Sequence, residues 1–173
     1  MLRYLVVFLL LFNISEGVEK MSIKLESPAF ENGEIIPVKY TCDGEDISPE
    51  IIWSQVPLEA KSLVLIMDDP DAPIGTFTHW VVYDIPTKLN HLPENLPKVA
   101  EIETLKQGIN DFRNVGYGGP CPPHGKPHRY FFKVYALDIP SLGIPGGMTR
   151  EIVEEKMQGH VIAEGYLMGV YGR

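Results

Sequence analysis

The sequence predicts a mainly β fold, and three observations carry that prediction. Fifteen prolines and sixteen glycines punctuate the 173 residues, which leaves little room for long helices. Between them lie short runs rich in Val, Ile, Leu, Phe and Tyr, at 62–67, 80–85 and 130–137. Only two stretches have the composition of a helix, and both are short. The expectation is an all-β core with one or two short peripheral helices. At 45% hydrophobic and 22% charged residues, the chain has the balance of an ordinary globular domain.

The N-terminus stands apart from that core. Met1-Leu2-Arg3-Tyr4 precedes an unbroken apolar run, Leu5 to Phe12, and then Asn13-Ile14-Ser15-Glu16-Gly17. A basic start, a short apolar stretch and small residues at Ser15 and Gly17 predict a secretory signal over 1–17, cut after Gly17. The run is shorter than the roughly 20 apolar residues a spanning helix needs. Residues 18–173 then form a single domain, either secreted or held in the periplasm or at the cell surface. Translation from Met21 would instead leave a cytoplasmic protein.

Within the domain, Ser22 to Glu26 alternates between apolar and polar residues as a half-buried strand does. Ile35 to Tyr40 reads as a strand with Pro37 at an edge or a start. Thr41 to Pro49 is a polar loop, and Ile51 to Trp53 opens the next strand. The runs 62–67, 80–85 and 130–137 are nearly all apolar, as in central strands covered on both faces. Leu89 to Leu96 is the weaker helix candidate, limited by Pro93 and Pro97. Thr149 to Met157 is the stronger: Thr149 can cap it, Glu151 suits its first turn, and Gly159 can end it. His160 to Tyr171 reads as a closing strand.

A formal net charge of −8 with no basic run argues against nucleic-acid binding and against an electrostatic grip on anionic membranes. Cys42 and Cys121 are the only cysteines. There is no CxxC or HExxH, so no metal site and no cofactor is expected. In an exported chain the two cysteines are expected to form a disulfide; two buried thiols are the alternative.

The chemistry gathers in two segments. Asp68-Asp69-Pro70-Asp71 follows a buried strand, so a carboxylate is expected at the strand end beside a cleft. Asp69 and Asp71 would share one side and Asp68 the other. An Asx-type turn is the structural alternative. His79, between Thr78 and Trp80, and His128, at the mouth of the 130–137 run, are imidazoles entering mostly apolar surroundings. His128 and Tyr130, two apart on a strand, would line one wall, and Arg129 would turn away towards a structural carboxylate. His124 is expected in solvent. The glycine- and proline-rich stretch 116–127 could bring backbone N–H groups to an anion, although it lacks the P-loop pattern.

Asp-Pro-Asp-Ala-Pro followed by His-Trp-Val-Val, with Gly-Pro and then His-Arg-Tyr after a Pro/Gly loop, resembles the phosphatidylethanolamine-binding family, also called Raf kinase inhibitor proteins. Thr-Cys-Asp-Gly, Gly-Ile-Asn-Asp-Phe at 108–112 and the Gly-His-Val-Ile-Ala-Glu ending resemble its bacterial and archaeal branch. The resemblance runs from about Ser22 to Arg173. It implies a Greek-key β-sandwich with a small anion-accepting pocket that includes Asp69, Asp71, His79, Gly119, Pro120, His128 and Tyr130. The chain departs from the animal pattern in a Cys-Pro addition before His128 and in lacking a further C-terminal helix beside the pocket. Lipid-chain binding and kinase regulation are therefore not expected.

The favoured function is non-catalytic binding of a small phosphate-containing or zwitterionic ligand, such as a phosphoethanolamine-like head group. Two alternatives come from other classes. One is a serine-protease inhibitor or other protein-interaction regulator. The other is a hydrolase in which Asp69 orients His79 as general base and His128 acts as acid.

Overall fold

The computed structural model describes residues 21–173, so the expected signal over 1–17 lies outside the described residues. The strands are β1 (Met21–Ser22), β2 (Lys24–Glu26), β3 (Ile51–Ser54), β4 (Ser62–Asp69), β5 (Phe77–Pro86), β6 (His91–Leu92), β7 (Glu101–Ile102), β8 (Leu105–Gln107), β9 (His128–Leu137) and β10 (Val161–Tyr171); one helix, α1 (Arg150–Met157), precedes β10. Seven strands form a large sheet in the order β1-β10-β9-β4-β5-β8-β7, and β2-β3-β6 form a small one. The segment order β9-β4-β5-β8 is a Greek key: β9 returns by a long connection to lie beside β4.

The core between the sheets follows from side-chain alternation. Leu63, Leu65 and Met67 of β4 join Trp80, Val82, Phe132 and Val134 on the face that meets Ile51, Trp53 and Leu92 of the small sheet. The opposite-facing Val64, Ile66, Val81 and Tyr83 pack against Val153 and Met157 of α1. β4 is therefore covered on both faces, which explains its uniformly apolar sequence. The same expectation fails for β9. Its core side is sealed, but Phe131, Lys133 and Tyr135 are only half-buried.

Three other expectations are corrected. Ser22 to Glu26 is not one strand; β1 pairs with β10 and β2 with β3, so the chain crosses between sheets at Ile23. Ile35 to Tyr40 is a lone bridge from Ile35 to Val170 followed by a 3-10 turn over Val38–Tyr40. Pro37 supplies no N–H for a ladder, and the turn instead closes with Tyr40 N–H on its carbonyl at 2.9 Å. Leu89 to Leu96 holds the two-residue β6 and turns rather than a helix. The Thr149–Met157 helix forms as α1, with Thr149 at its N-cap position and Gly159 at φ +81° just past its end. No helix among the described residues is long and apolar enough to cross a membrane.

Candidate functional site

One irregularity in β5 sets the site. Across the β4–β5 ladder Met67 faces Trp80 and Asp68 faces Thr78, so His79 is an extra residue, a β-bulge. It lies at the end of β4 that carries Asp69. On the other side of β4, β9 begins with His128, and the alternation that buries Phe132 and Tyr130 turns His128 the same way. Asp69, His79 and His128 are all buried there.

The three side chains line a cavity of about 260 Å³ whose other walls are mostly apolar, including Pro73, Ile74, Phe77, Phe112 and Pro122. His128 Nδ1 lies 2.7 Å from Asp69 Oδ2, and a carboxylate there accepts the Nδ1 proton. The other oxygen, Asp69 Oδ1, accepts the Asp71 N–H at 2.8 Å. His79 Nδ1 lies 2.7 Å from the Gly118 carbonyl, which can only accept, so Nδ1 carries the proton and Nε2 is the acceptor of the neutral ring. Burial holds the His79 pKa below its usual 6.5, partly opposed by the Gly118 carbonyl and the Asp69 charge.

Tyr130 stands edge-on to His79 with ring centroids 5.2 Å apart. Its hydroxyl is buried and has no hydrogen-bond partner among the described residues. Burial, with Asp69 and Asp71 nearby, pushes its pKa well up, so it remains a hydroxyl able to donate. An orphaned buried donor is costly and is rarely kept without a use.

The remaining residues named from the sequence are placed around this centre. Asp71 turns outward, its carboxylate held by the Arg129 guanidinium at 2.7 and 2.9 Å and by the Arg129 N–H at 3.0 Å. That fork holds the Asp71 pKa down at about 2. Arg129 thus meets a carboxylate, and it is Asp71. Asp68 faces the opposite side of the sheet, where Lys133 and Arg150 pair with it. His124 is exposed.

Gly119 and Pro120 form a strap beside the cavity. The strap's amides are already committed: Gly118 N–H donates to the His79 carbonyl at 2.9 Å, and Gly119 N–H to Asp46 Oδ1 at 2.6 Å. Pro120 has no N–H. The expected amide cradle for an anion is therefore not offered at 118–120. A disulfide joins Cys42 to Cys121, with Cα atoms 5.4 Å apart, and ties this strap to the 41–49 loop.

The Asp69–His79 pairing on which the hydrolase reading relied is not formed. β4 and β9 are neighbours with Asp69 and His128 on one face, so the carboxylate is taken by His128, whereas the bulge hands the His79 ring to the Gly118 carbonyl. Sequence reasoning also missed Phe77, Phe112 and Asp46. Phe77 directly precedes Thr78-His79, and Phe112 closes the Gly108–Phe112 stretch. Phe112 thus ends a family motif and Phe77 lies beside another, but nothing in their spacing shows that they meet.

Known proteins match both this fold and this chain. A family description, "Phosphatidylethanolamine-binding protein", fits residues 26–172. This chain belongs to the phosphatidylethanolamine-binding protein family. A UPF0098 protein of Aquifex aeolicus is 56% identical over 174 residues, covering 100% of this chain and 99% of its own. A UPF0098 protein of Pyrococcus horikoshii is 49% identical over 92% of this chain and 81% of its own. Among solved structures, a phosphatidylethanolamine-binding protein homolog from Chlamydia trachomatis superposes with a TM-score of 0.80 at 43% identity, over 88% of this chain and 98% of that one. Escherichia coli YbcL, described as a member of the mammalian family, gives 0.82 at 31% identity, over 88% and 99%. Membership makes this, in general terms, a ligand-binding protein.

Proposed function

We propose that this protein binds a small phosphate-containing or zwitterionic ligand in the Asp69–His79–His128 cavity without transforming it. The observation that carries the reading is the juxtaposition of two imidazoles whose Nδ1 atoms are anchored, one on a carboxylate and one on a carbonyl. Each ring thereby keeps Nε2 for a ligand. A protonated Nε2 donates to a phosphate oxygen, and a neutral one accepts from a P–O–H group. The Asp69 carboxylate fixes the His128 ring through Nδ1, so both Nε2 atoms are held towards a ligand. An ammonium end finds the Phe77 ring in the cavity wall and the residual field of Asp69.

Binding without turnover is supported by the commitment of Asp69 to His128, which leaves His79 hydrogen-bonded to the Gly118 carbonyl rather than to a carboxylate. Cys121, in the cavity wall, is held in the disulfide and offers no thiol there. We also propose that the chain acts outside the cytoplasm. The basic and apolar start and the Cys42–Cys121 pair support export.

The test is isothermal titration of phosphate and phosphoethanolamine at pH 6 into the parent, His128→Ala and Asp69→Asn. Losing one charge-assisted contact predicts at least a roughly tenfold weaker Kd in each variant. Equal affinity in all three would remove the cavity from the account.

A further inference from the structure

Beside the His79–His128 cavity lies a second one of about 430 Å³, lined by Asp46, Lys98, Asn110, Asn114 and Tyr117. Gly118 and Gly119 are also in its wall, and Cys121 to Pro123, which continue the strap, line the first cavity. Only Phe112 lines both. That ring therefore stands between them, beside the Cys42–Cys121 disulfide, which puts one cysteine in each wall.

Its position is built by the fold. Phe112 sits at the tip of a tight turn in which Asn110 N–H donates to Asn114 O at 2.9 Å and Arg113 N–H to Asn110 O at 2.8 Å. The Asn110 side chain closes the turn from inside, donating to Gly116 O at 2.9 Å and accepting from Asn114 N–H at 3.2 Å. Asp111 fixes it to β5: its N–H donates to Thr78 O at 2.9 Å, and its carboxylate accepts Thr78 N–H at 2.6 Å. The ring then lies edge-on to Phe77 at 4.7 Å and to His79 at 5.4 Å. A Cβ on Gly118 would stand 2.6 Å from it, so the ring's seat exists because residue 118 has no side chain. Even so, 41% of Phe112 is exposed, so the ring presents a free face at the cavity mouths.

What the partition separates is chemically distinct. On one side are two imidazoles and apolar walls. On the other, Lys98 Nζ pairs with Asp46 Oδ2 at 2.8 Å at moderate exposure, with Tyr117 behind them. The second cavity therefore holds one cation and one anion that could each exchange its partner for a ligand group.

We propose that Phe112 is a specificity-determining residue: it confines the ligand to the His79–His128 compartment and keeps a second polar arm of a larger ligand from reaching Lys98 and Asp46. This rests on the binding role proposed above. The wild-type site is selective for compact head groups, and removing the ring joins the two compartments into one trough.

The experiment compares Kd values of inorganic phosphate, phosphoethanolamine and glycerophosphoethanolamine for the parent, Phe112→Ala and Phe112→Leu. Thermal melts verify that each is folded, and Phe112→Leu serves if the alanine variant is not. The readout is the ratio of the glycerophosphoethanolamine Kd to that of phosphate. It is expected to fall about tenfold in Phe112→Ala, the value of one added charge-assisted contact. Adding Lys98→Ala and Asp46→Asn to Phe112→Ala is expected to reverse the gain. A ratio unchanged in both Phe112 variants while phosphate still binds overturns the role of Phe112 alone. No binding of any of the three ligands by the parent overturns the binding role and this inference together.

Discussion

Removing the disulfide perturbs the loops around the site and the stability of the fold together, and its size can be worked out. Cys42 and Cys121 are 79 residues apart in sequence, and closing a loop of that length lowers unfolded-chain entropy by an amount equivalent to about 4.5 kcal/mol at 25 °C. That figure is an upper value, because a denatured chain retains some structure. Part of the tie survives reduction. Cys42 N–H donates to Pro120 O at 3.1 Å, and Arg173 spans the same loops, donating to Pro122 O at 2.9 Å and pairing with Asp43 at 3.3 Å. Urea unfolding of the oxidised chain and of Cys42→Ser/Cys121→Ser is the assay. The expected loss is about 3–5 kcal/mol, a midpoint lower by roughly 2 M at a typical urea slope of about 2 kcal/mol/M. A loss under about 1 kcal/mol, with the parent shown to be oxidised, would refute the view that this crosslink holds the 41–49 loop and the strap in place.

Three more outcomes follow from the geometry. Asp71 has a folded pKa of about 2, below its ordinary 3.8, so its pairing with Arg129 stabilises above about pH 4 and is lost as pH falls towards 2. Because Arg129 is half exposed, Asp71→Asn should cost only about 1 kcal/mol at pH 7 and a small fraction of that at pH 2, as thermal melts at both pH values will show. His79 has a pKa below 6.5 when the cavity is empty, so an anion must draw a proton onto it. Sulfate, which remains a dianion, should therefore bind more tightly at pH 5.5 than at 7.5 with net proton uptake, measured by calorimetry in two buffers; a pH-independent Kd contradicts this. Gly119→Ala would place a Cβ 2.4 Å from the Tyr40 carbonyl and 2.8 Å from Asp46 Oδ1, displacing the strap. It should cost about 1–3 kcal/mol in urea unfolding and weaken phosphate binding, whereas parent-like values would show that the strap has room.

The central strands were readable because their burial is uniform or strictly alternating. The apolar run of β4 announces two covered faces, and His128 and Tyr130 share the buried face of β9 because strand period alone dictates it. What the sequence withheld depends on contacts between distant segments. Ile35 to Tyr40 has a strand's residues but lies where only Ile35 finds a partner, and Pro37 turns the rest into a 3-10 turn. The bulge that aims His79 is invisible in β5 itself, since it is defined by the register against β4. For the same reason the pairing of Asp69 was assigned to the wrong imidazole. Asp46, which occupies the Gly119 amide from 73 residues away, stands in a loop whose composition says only that it is polar.

The most direct test of the account is a two-dimensional NMR titration of residues 18–173 at pH 6 with phosphate, phosphoethanolamine and acetate. The account predicts saturable shifts centred on Asp69, His79, His128 and Tyr130, strongest with the phosphate-containing ligands and absent in the β2-β3-β6 sheet. Shifts spread over the surface, or none at the two imidazoles, would contradict it and leave the cavity as packing.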